Sequence, residues 1–243
     1  MARARRCRRA SVDPAARPRR SPLYRELASA GARFADIADA AVATGFGDDP
    51  ATEARGAHEL GLCDLTLSPR AGYKGWAAVE WARGCGLVIG DENNRAYPQP
   101  DGCRVARLAD SEILILGDLG ARPTTIARLA GAEPIAGAYP VPRADTNCRF
   151  AICGVQAASM LAKLCGVDLR PHRFVQGDIA QTSVARLNTI IIRADRGEVL
   201  AFDLLTDFAS ASYMWGCVVD AMAEFDGRLI GATALGALGT TAA

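Results

Sequence analysis

The chain has 243 residues, half of them hydrophobic and 23% charged, with 28 Lys+Arg against 27 Asp+Glu. This is an ordinary globular composition, long enough for one large domain or two small ones, and it excludes a disordered or fibrous protein. A net charge of +1 argues against nucleic acid or an acidic membrane as the main partner, because either demands a basic surface.

The charge is unevenly placed. Residues 1–20 hold eight Arg and one Asp, so the remaining 223 residues carry 20 basic and 26 acidic side chains. The Arg-rich stretch has no apolar middle and is not a secretory signal; residues 1–21 are expected to be a disordered leader. No run reaches the roughly 20 apolar residues needed to cross a bilayer, so neither a membrane nor a nucleic acid is expected as partner, and a cytoplasmic location is.

Along the chain, helices are predicted over 22–31 and 51–60, flanking a strand at 40–44. A β-prone segment at 70–74 leads to Gly75 and an Ala-rich helical pattern, and the loop 91–102 precedes the apolar runs CRVARL and EILILGD. A helix at 123–130 and a proline-bearing loop at 132–146 follow. A second β-prone segment, 149–153, leads to Gly154 and QAASMLAKL. The runs SVARLNTIIIR and EVLAFDLL then flank the turn Asp195-Arg196-Gly197, and a helix is predicted over 209–225. Residues 229–243 are expected to form a flexible tail.

Two matches share one offset. Val-Ala-Arg-Leu occurs at Val105 and again at Val184, and the same shift of 79 carries Gly75 onto Gly154. With the same order of predicted elements after each glycine, the chain reads as a duplicated α+β domain over residues 22–228. Its halves, about 22–131 and 146–228, each run strand–helix–strand–strand–helix.

Residues with reactive chemistry are scattered. The eight cysteines contain no CxxC pair and the chain has only His58 and His172, so no metal site is expected. Neither a GxSxG nor a phosphate-cradling glycine motif occurs, and no catalytic residue is assigned. His172, in LRPHRF, is a loop histidine between arginines, suited to an anion or a neighbouring chain. Arg107 and Arg186 are expected on strands as a symmetry-related pair that could anchor a partner's carboxylates. Trp215, with Trp76 and Trp81, is a candidate core or interface anchor.

The second half carries a more specific signal. LAKLCGVDLRPHRFVQGDIAQTSVARLNTIIIRAD, residues 161–195, resembles the gamma subunit of heterotetrameric sarcosine oxidase. ELGLCDLTLSPRAGYKG, NRAYPQPDGCRVARLADSEILILGD and SASYMWGCVVDAMAEF agree, so the resemblance covers about residues 22–228. It implies the fold of the aminomethyltransferase (glycine-cleavage T-protein) folate-binding domain, without that family's C-terminal barrel. It also implies a small structural or assembly subunit, not catalytic by itself, in a complex with alpha, beta and delta subunits. Such a complex oxidatively demethylates sarcosine to glycine and passes the one-carbon unit to tetrahydrofolate, its other subunits carrying FAD, FMN and NAD. A related N-methylglutamate dehydrogenase subunit and a stand-alone folate-binding aminomethyltransferase-like protein are the alternatives. The aminomethyltransferases' paired Asp-Asp corresponds here to Asp101-Gly102, and their Tyr-Thr-Gly-Glu turn to Gln181-Thr182-Ser183-Val184. Asp101 is therefore the one residue carried over as a folate ligand.

Overall fold

A computed structural model of the chain describes residues 11–47, 49–118 and 124–239. The order of elements is β1 (Arg19–Arg20), α1 (Tyr24–Ser29), β2 (Arg33–Ile37), β3 (Ala40–Gly45), α2 (Pro50–Leu60), β4 (Gly61–Asp64), β5 (Arg70–Lys74), α3 (Ala78–Gly84), β6 (Arg95–Pro98), β7 (Arg104–Ala109) and β8 (Glu112–Leu116). There follow α4 (Thr124–Ala130), β9 (Tyr139–Val141), β10 (Asn147–Cys153), α5 (Ala157–Leu161), β11 (Ile179–Val184), β12 (Leu187–Arg193), β13 (Ala201–Asp207), α6 (Ala211–Ala223), β14 (Arg228–Leu229) and α7 (Ala232–Leu238).

The duplication is visible in the sheets. One sheet has the order β6-β7-β8-β5-β9 and the other β11-β12-β13-β10-β4-β14. After β5 and after β10 the chain makes the same moves, with a helix, three antiparallel strands and a second helix, so each half holds one strand more than the sequence pattern predicts. The fifth strand of each sheet is exchanged: β9 precedes β10 in the chain but pairs with β5, while β4 precedes β5 but pairs with β10.

Strand alternation sorts the side chains into layers. Val105, Ile113 and Ile115 face α3 and α4 with Tyr73, Trp81 and Leu129. Phe150, Phe202 and Leu204 face Met214, Trp215 and Val218 of α6. The alternate residues Ala106, Leu114, Leu116, Ile179, Ile192 and Leu205 pack the two sheets against each other. At their edges the sheets also touch by a bridge between Arg95 and Asp178 and by a hydrogen bond from Ala96 N to Gly177 O, 2.7 Å.

Three expectations are revised. The first concerns the Val-Ala-Arg-Leu repeat, whose two copies occupy different places. Val105–Leu108 lies within β7, whereas Ala185 and Arg186 form the two-residue turn between β11 and β12, with φ of 47° and 69°. Arg186 is thus a turn residue rather than the partner of Arg107. The glycine match at the same offset is the structural one.

Second, residues 11–21 are folded. Val12 N donates to Phe34 O, the Asp13 carboxylate caps a turn at Pro14–Ala16, and β1 pairs in parallel with β3. Arg17 meets Asp36 at 2.8 Å and Arg20 stacks on the Tyr24 ring. Arg17, Arg19 and Arg20 are therefore used against a carboxylate, carbonyls and an aromatic face. Residues 1–10 lie outside the described residues.

Third, residues 229–239 of the expected flexible tail hold α7. Its Ala234, Leu235 and Leu238 cover Cys63, Ala151 and Ala201, and buried Glu53 accepts from Gly231 N at 2.9 Å. Residues 240–243 lie outside the described residues. Among the described residues, no helix is long and apolar enough to cross a membrane.

Candidate functional site

The inner faces of the two sheets carry charge where strand chemistry calls for apolar side chains. Arg149, in the middle of β10 and paired across the ladder with Leu205, has its side chain fully buried; Asp203 on β13 is 1% exposed. Arg149 Nη2 donates to Asp203 Oδ2 at 2.6 Å, and Nη1 donates to Ser68 Oγ at 3.0 Å and Gly117 O at 2.7 Å. Arg196 comes from the turn after β12. It donates to Asp118 through Nη1 and lies 3.9 Å from Asp203 through Nη2. Asp118 closes the group, 4.0 Å from Arg149.

Two more arginines border this pair of pairs. Arg70 stands 79 residues before Arg149, at the matching place on β5. It is buried and donates from Nη2 to Thr66 O (2.8 Å) and Ala144 O (2.7 Å). Arg104, on the inner face of β7, is partly buried, and its side chain makes no hydrogen bond or ion pair with the described residues.

The electrostatics follow from burial and from who faces whom. Burial works against the Arg196 charge, but Asp203 and Asp118 outweigh it and hold the guanidinium firmly protonated. Burial, then repulsion from Arg149, brings Arg70 down to about 10. Burial also lowers Arg104, with Asp203 pulling upward and Arg196 and Arg149 pushing down. Burial would raise Asp118, yet Arg196 and Arg149 keep it below the usual carboxylate range. Arginine donors outnumber acceptors here: Arg70 Nε and Nη1, Arg149 Nε, and Arg196 Nε and Nη2 are buried without a hydrogen bond. Leaving such donors unpaired is costly, so the cluster has spare capacity for an acceptor.

The residues singled out from sequence are dispersed. Both carboxylate oxygens of Asp101 are already engaged. Oδ1 accepts from Cys103 N at 3.1 Å, and Oδ2 accepts from Thr125 N at 2.7 Å and Thr124 Oγ1 at 3.0 Å, tying the β6–β7 loop to the start of α4. Burial would raise its carboxyl, but these bonds win and hold it at about 2. Arg107 is buried and bonded to Gly90 O and Asp110. Arg186 and His172 are exposed. Trp215 is 5% exposed and packs edge-on to Phe150 with centroids 5.2 Å apart, so its ring belongs to the core. The exposed tryptophan is Trp76, 79% accessible beside Ile135 and Tyr139.

Several buried thiols border this cluster, with Cys63 and Cys153 close enough to Arg196, and Cys148 to Arg70, to feel their charge. His58 lines a shallow cleft of about 380 Å³ with Val155, Pro171 and Glu198. Burial pushes the Cys103, Cys148 and Cys153 thiols up to about 12, which keeps them from acting as thiolates at neutral pH. No group of three or more His, Cys, Asp or Glu among the described residues is placed to hold a metal. The arrangement can bind an anion and lock the halves together.

The duplicated sheets define a mixed α+β fold of the aminomethyltransferase-like kind. Two solved structures carry the likeness. One is the heterotetrameric sarcosine oxidase from Corynebacterium sp. U-96, with TM-score 0.59 and 19% identity over 74% of this chain and 97% of that one. The other is the glycine cleavage system aminomethyltransferase T from Bartonella henselae, with TM-score 0.67 and 18% identity over 91% of this chain. The match spans 62% of the length of that aminomethyltransferase. No family profile and no curated protein matches the sequence.

Proposed function

We propose that this chain is a gamma-type small subunit of a multi-subunit sarcosine oxidase, with a structural and assembly role. In this reading neighbouring alpha, beta and delta subunits carry FAD, FMN and NAD, oxidise sarcosine to glycine, and pass the one-carbon unit to tetrahydrofolate. The observation that carries it is the chemistry between the halves. Asp101, the residue carried over as a folate ligand, has both oxygens committed to backbone and threonine donors. The inner sheet faces offer arginines rather than an acid free to orient a pterin. A fold that spans nearly the whole of a sarcosine oxidase chain supports the same reading. So do exposed Trp76, Ile135 and Tyr139, which provide apolar surface. Exposed Arg186 and His172 would offer polar contacts to a partner.

Co-purification tests it. Tagged full chain expressed with the products of neighbouring genes should bring down a large flavoprotein that oxidises sarcosine. Oxidation of N-methylglutamate instead would place the chain in the related dehydrogenase. A chain that stays monomeric with every candidate partner, yet binds tetrahydrofolate in calorimetry, would replace the subunit reading with the folate-binding one.

A further inference from the structure

A cavity of about 300 Å³ opens at the edge where the two sheets meet, lined in part by Arg95, Tyr97, Pro98, Arg104, Gln176 and Arg193. That volume is at the lower end of small-molecule sites. Three of the eight lining residues are arginines, but they are not alike.

Two of them already have a carboxylate partner. Arg95 Nη1 is paired with Asp178. Arg193 uses all three nitrogens: Nε and Nη2 on Asp195, the latter at 2.9 Å, and Nη1 on Pro171 O and Phe174 O. Each forms a neutral pair. The Arg104 side chain makes no hydrogen bond or ion pair with the described residues. Its charge is felt by Asp203, Arg196, Arg149 and Asp118, so that three arginines (itself included) share two aspartates. That leaves one positive charge uncompensated, and it belongs to a side chain that lines the cavity. On the outer side, Gln176 Oε1 accepts from Asp195 N at 2.9 Å, and its amide nitrogen has no bond among the described residues.

Arg104 lines the cavity with every guanidinium donor free of a protein partner, so those donors are open to an acceptor that enters it. The fork of Arg matches a two-oxygen acceptor, and the single excess charge matches a monoanion. We propose that this cavity is a binding site for a small carboxylate, held by a bidentate contact to Arg104 and steadied by Gln176. Tyr97 and Pro98 leave room for a compact apolar body on the acid. The site does not depend on the subunit reading above, and it predicts a preference for carboxylate over phosphate because a second negative charge would find no counterpart.

The test uses the full chain titrated with sodium acetate, sodium phosphate and sodium chloride at matched ionic strength, followed by thermal midpoint and calorimetry. Acetate should give a saturable rise in midpoint that chloride does not. Arg104→Met should weaken acetate at least tenfold, while Arg104→Lys, which keeps the charge and loses the fork, should fall between. Equal effects of acetate and chloride, a tenfold preference for phosphate, or wild-type acetate affinity in Arg104→Met would each overturn the proposal. Should the variants fail to fold, phenylglyoxal on the wild-type chain decides. The Arg104 peptide should be modified in chloride and protected by acetate; a lack of modification in chloride, or a lack of protection, would also refute the site.

Discussion

Gly75 and Gly154 make the same contact on opposite halves of the molecule. Each ends the first strand of its half with a positive φ, 120° and 113°, and each has a carbonyl from the chain entering the exchanged strand where a side chain would stand. A Cβ on Gly75 would lie 2.1 Å from Gly137 O, and one on Gly154 would lie 2.4 Å from Glu59 O. The amides agree: Gly75 N donates to Ser111 O and Gly154 N to Leu200 O, the residues just before β8 and β13. Alanine at either position should cost about 2–5 kcal/mol, from the left-handed backbone and the overlap together. Gly31, with φ of 85° and nothing within 4 Å, should lose only about 1 kcal/mol as alanine. Urea denaturation of the three variants checks the contrast.

The ion pair between Arg149 and Asp203 is fully buried, so its partners are worth less together than either is harmful alone. Asp203→Asn should destabilise the chain by about 3–5 kcal/mol, because Arg149 and Arg196 lose their shared counter-charge. The double change Arg149→Met with Asp203→Leu should recover most of that loss. Denaturation midpoints across the cycle measure the recovery; a double variant as unstable as Asp203→Asn would contradict it.

Asp101 should reveal its role through acid. Its carboxyl is held at about 2 in the folded chain against an ordinary value of 3.8. The folded pKa is depressed, so the stabilisation is present above 3.8 and is lost as pH falls toward 2. Asp101→Ala should cost about 1 kcal/mol at neutral pH, as the loss of a helix-start acceptor does. The gap between wild type and variant should close as the pH approaches 2. Denaturation curves at several pH values follow it, and tetrahydrofolate titrations of Asp101 variants need this stability control beside them.

Thiol labelling of the native chain should be slow and selective. Cys63, Cys103, Cys148, Cys153 and Cys165 are buried, while Cys85 and Cys217 are half-buried. Among these seven described cysteines, Ellman's reagent should therefore reach Cys85 and Cys217 first, with the five buried ones appearing only in denaturant. Peptide mapping after partial labelling identifies the order; early labelling of Cys148 or Cys153 would contradict the burial described here.

Much of this architecture is legible in the residues, for local reasons. Gly75 and Gly154 announce themselves because a strand followed by glycine and an Ala-rich run leaves few other conformations. The β7–β8 and β12–β13 hairpins follow from apolar runs around short polar turns. What escapes has non-local causes. The tetrapeptide at Val184 looks like its copy at Val105, but its turn forms with Ala and Arg at positive φ, positions normally marked by Gly or Asn. Arg149 and Asp203 sit in runs apolar enough to read as plain buried strands, and only the placement of one sheet against the other makes them partners. Arg196 reads as an ordinary turn residue until Asp118, 78 positions away, is set beside it. Arg104 carries no signal in its neighbours at all, since its distinction is the partner it lacks.

The exchange of β4 and β9 bears on how such a chain can be divided. Cutting between the halves would not yield two modules: each fragment would keep a strand that fits the other fragment's sheet and lack one that its own sheet uses. A single half could complete its sheet by taking that strand from a second copy of itself. The present molecule has the connectivity of such a pair joined end to end, so the segment running through β9 is both the link between two copies and part of the first copy's sheet.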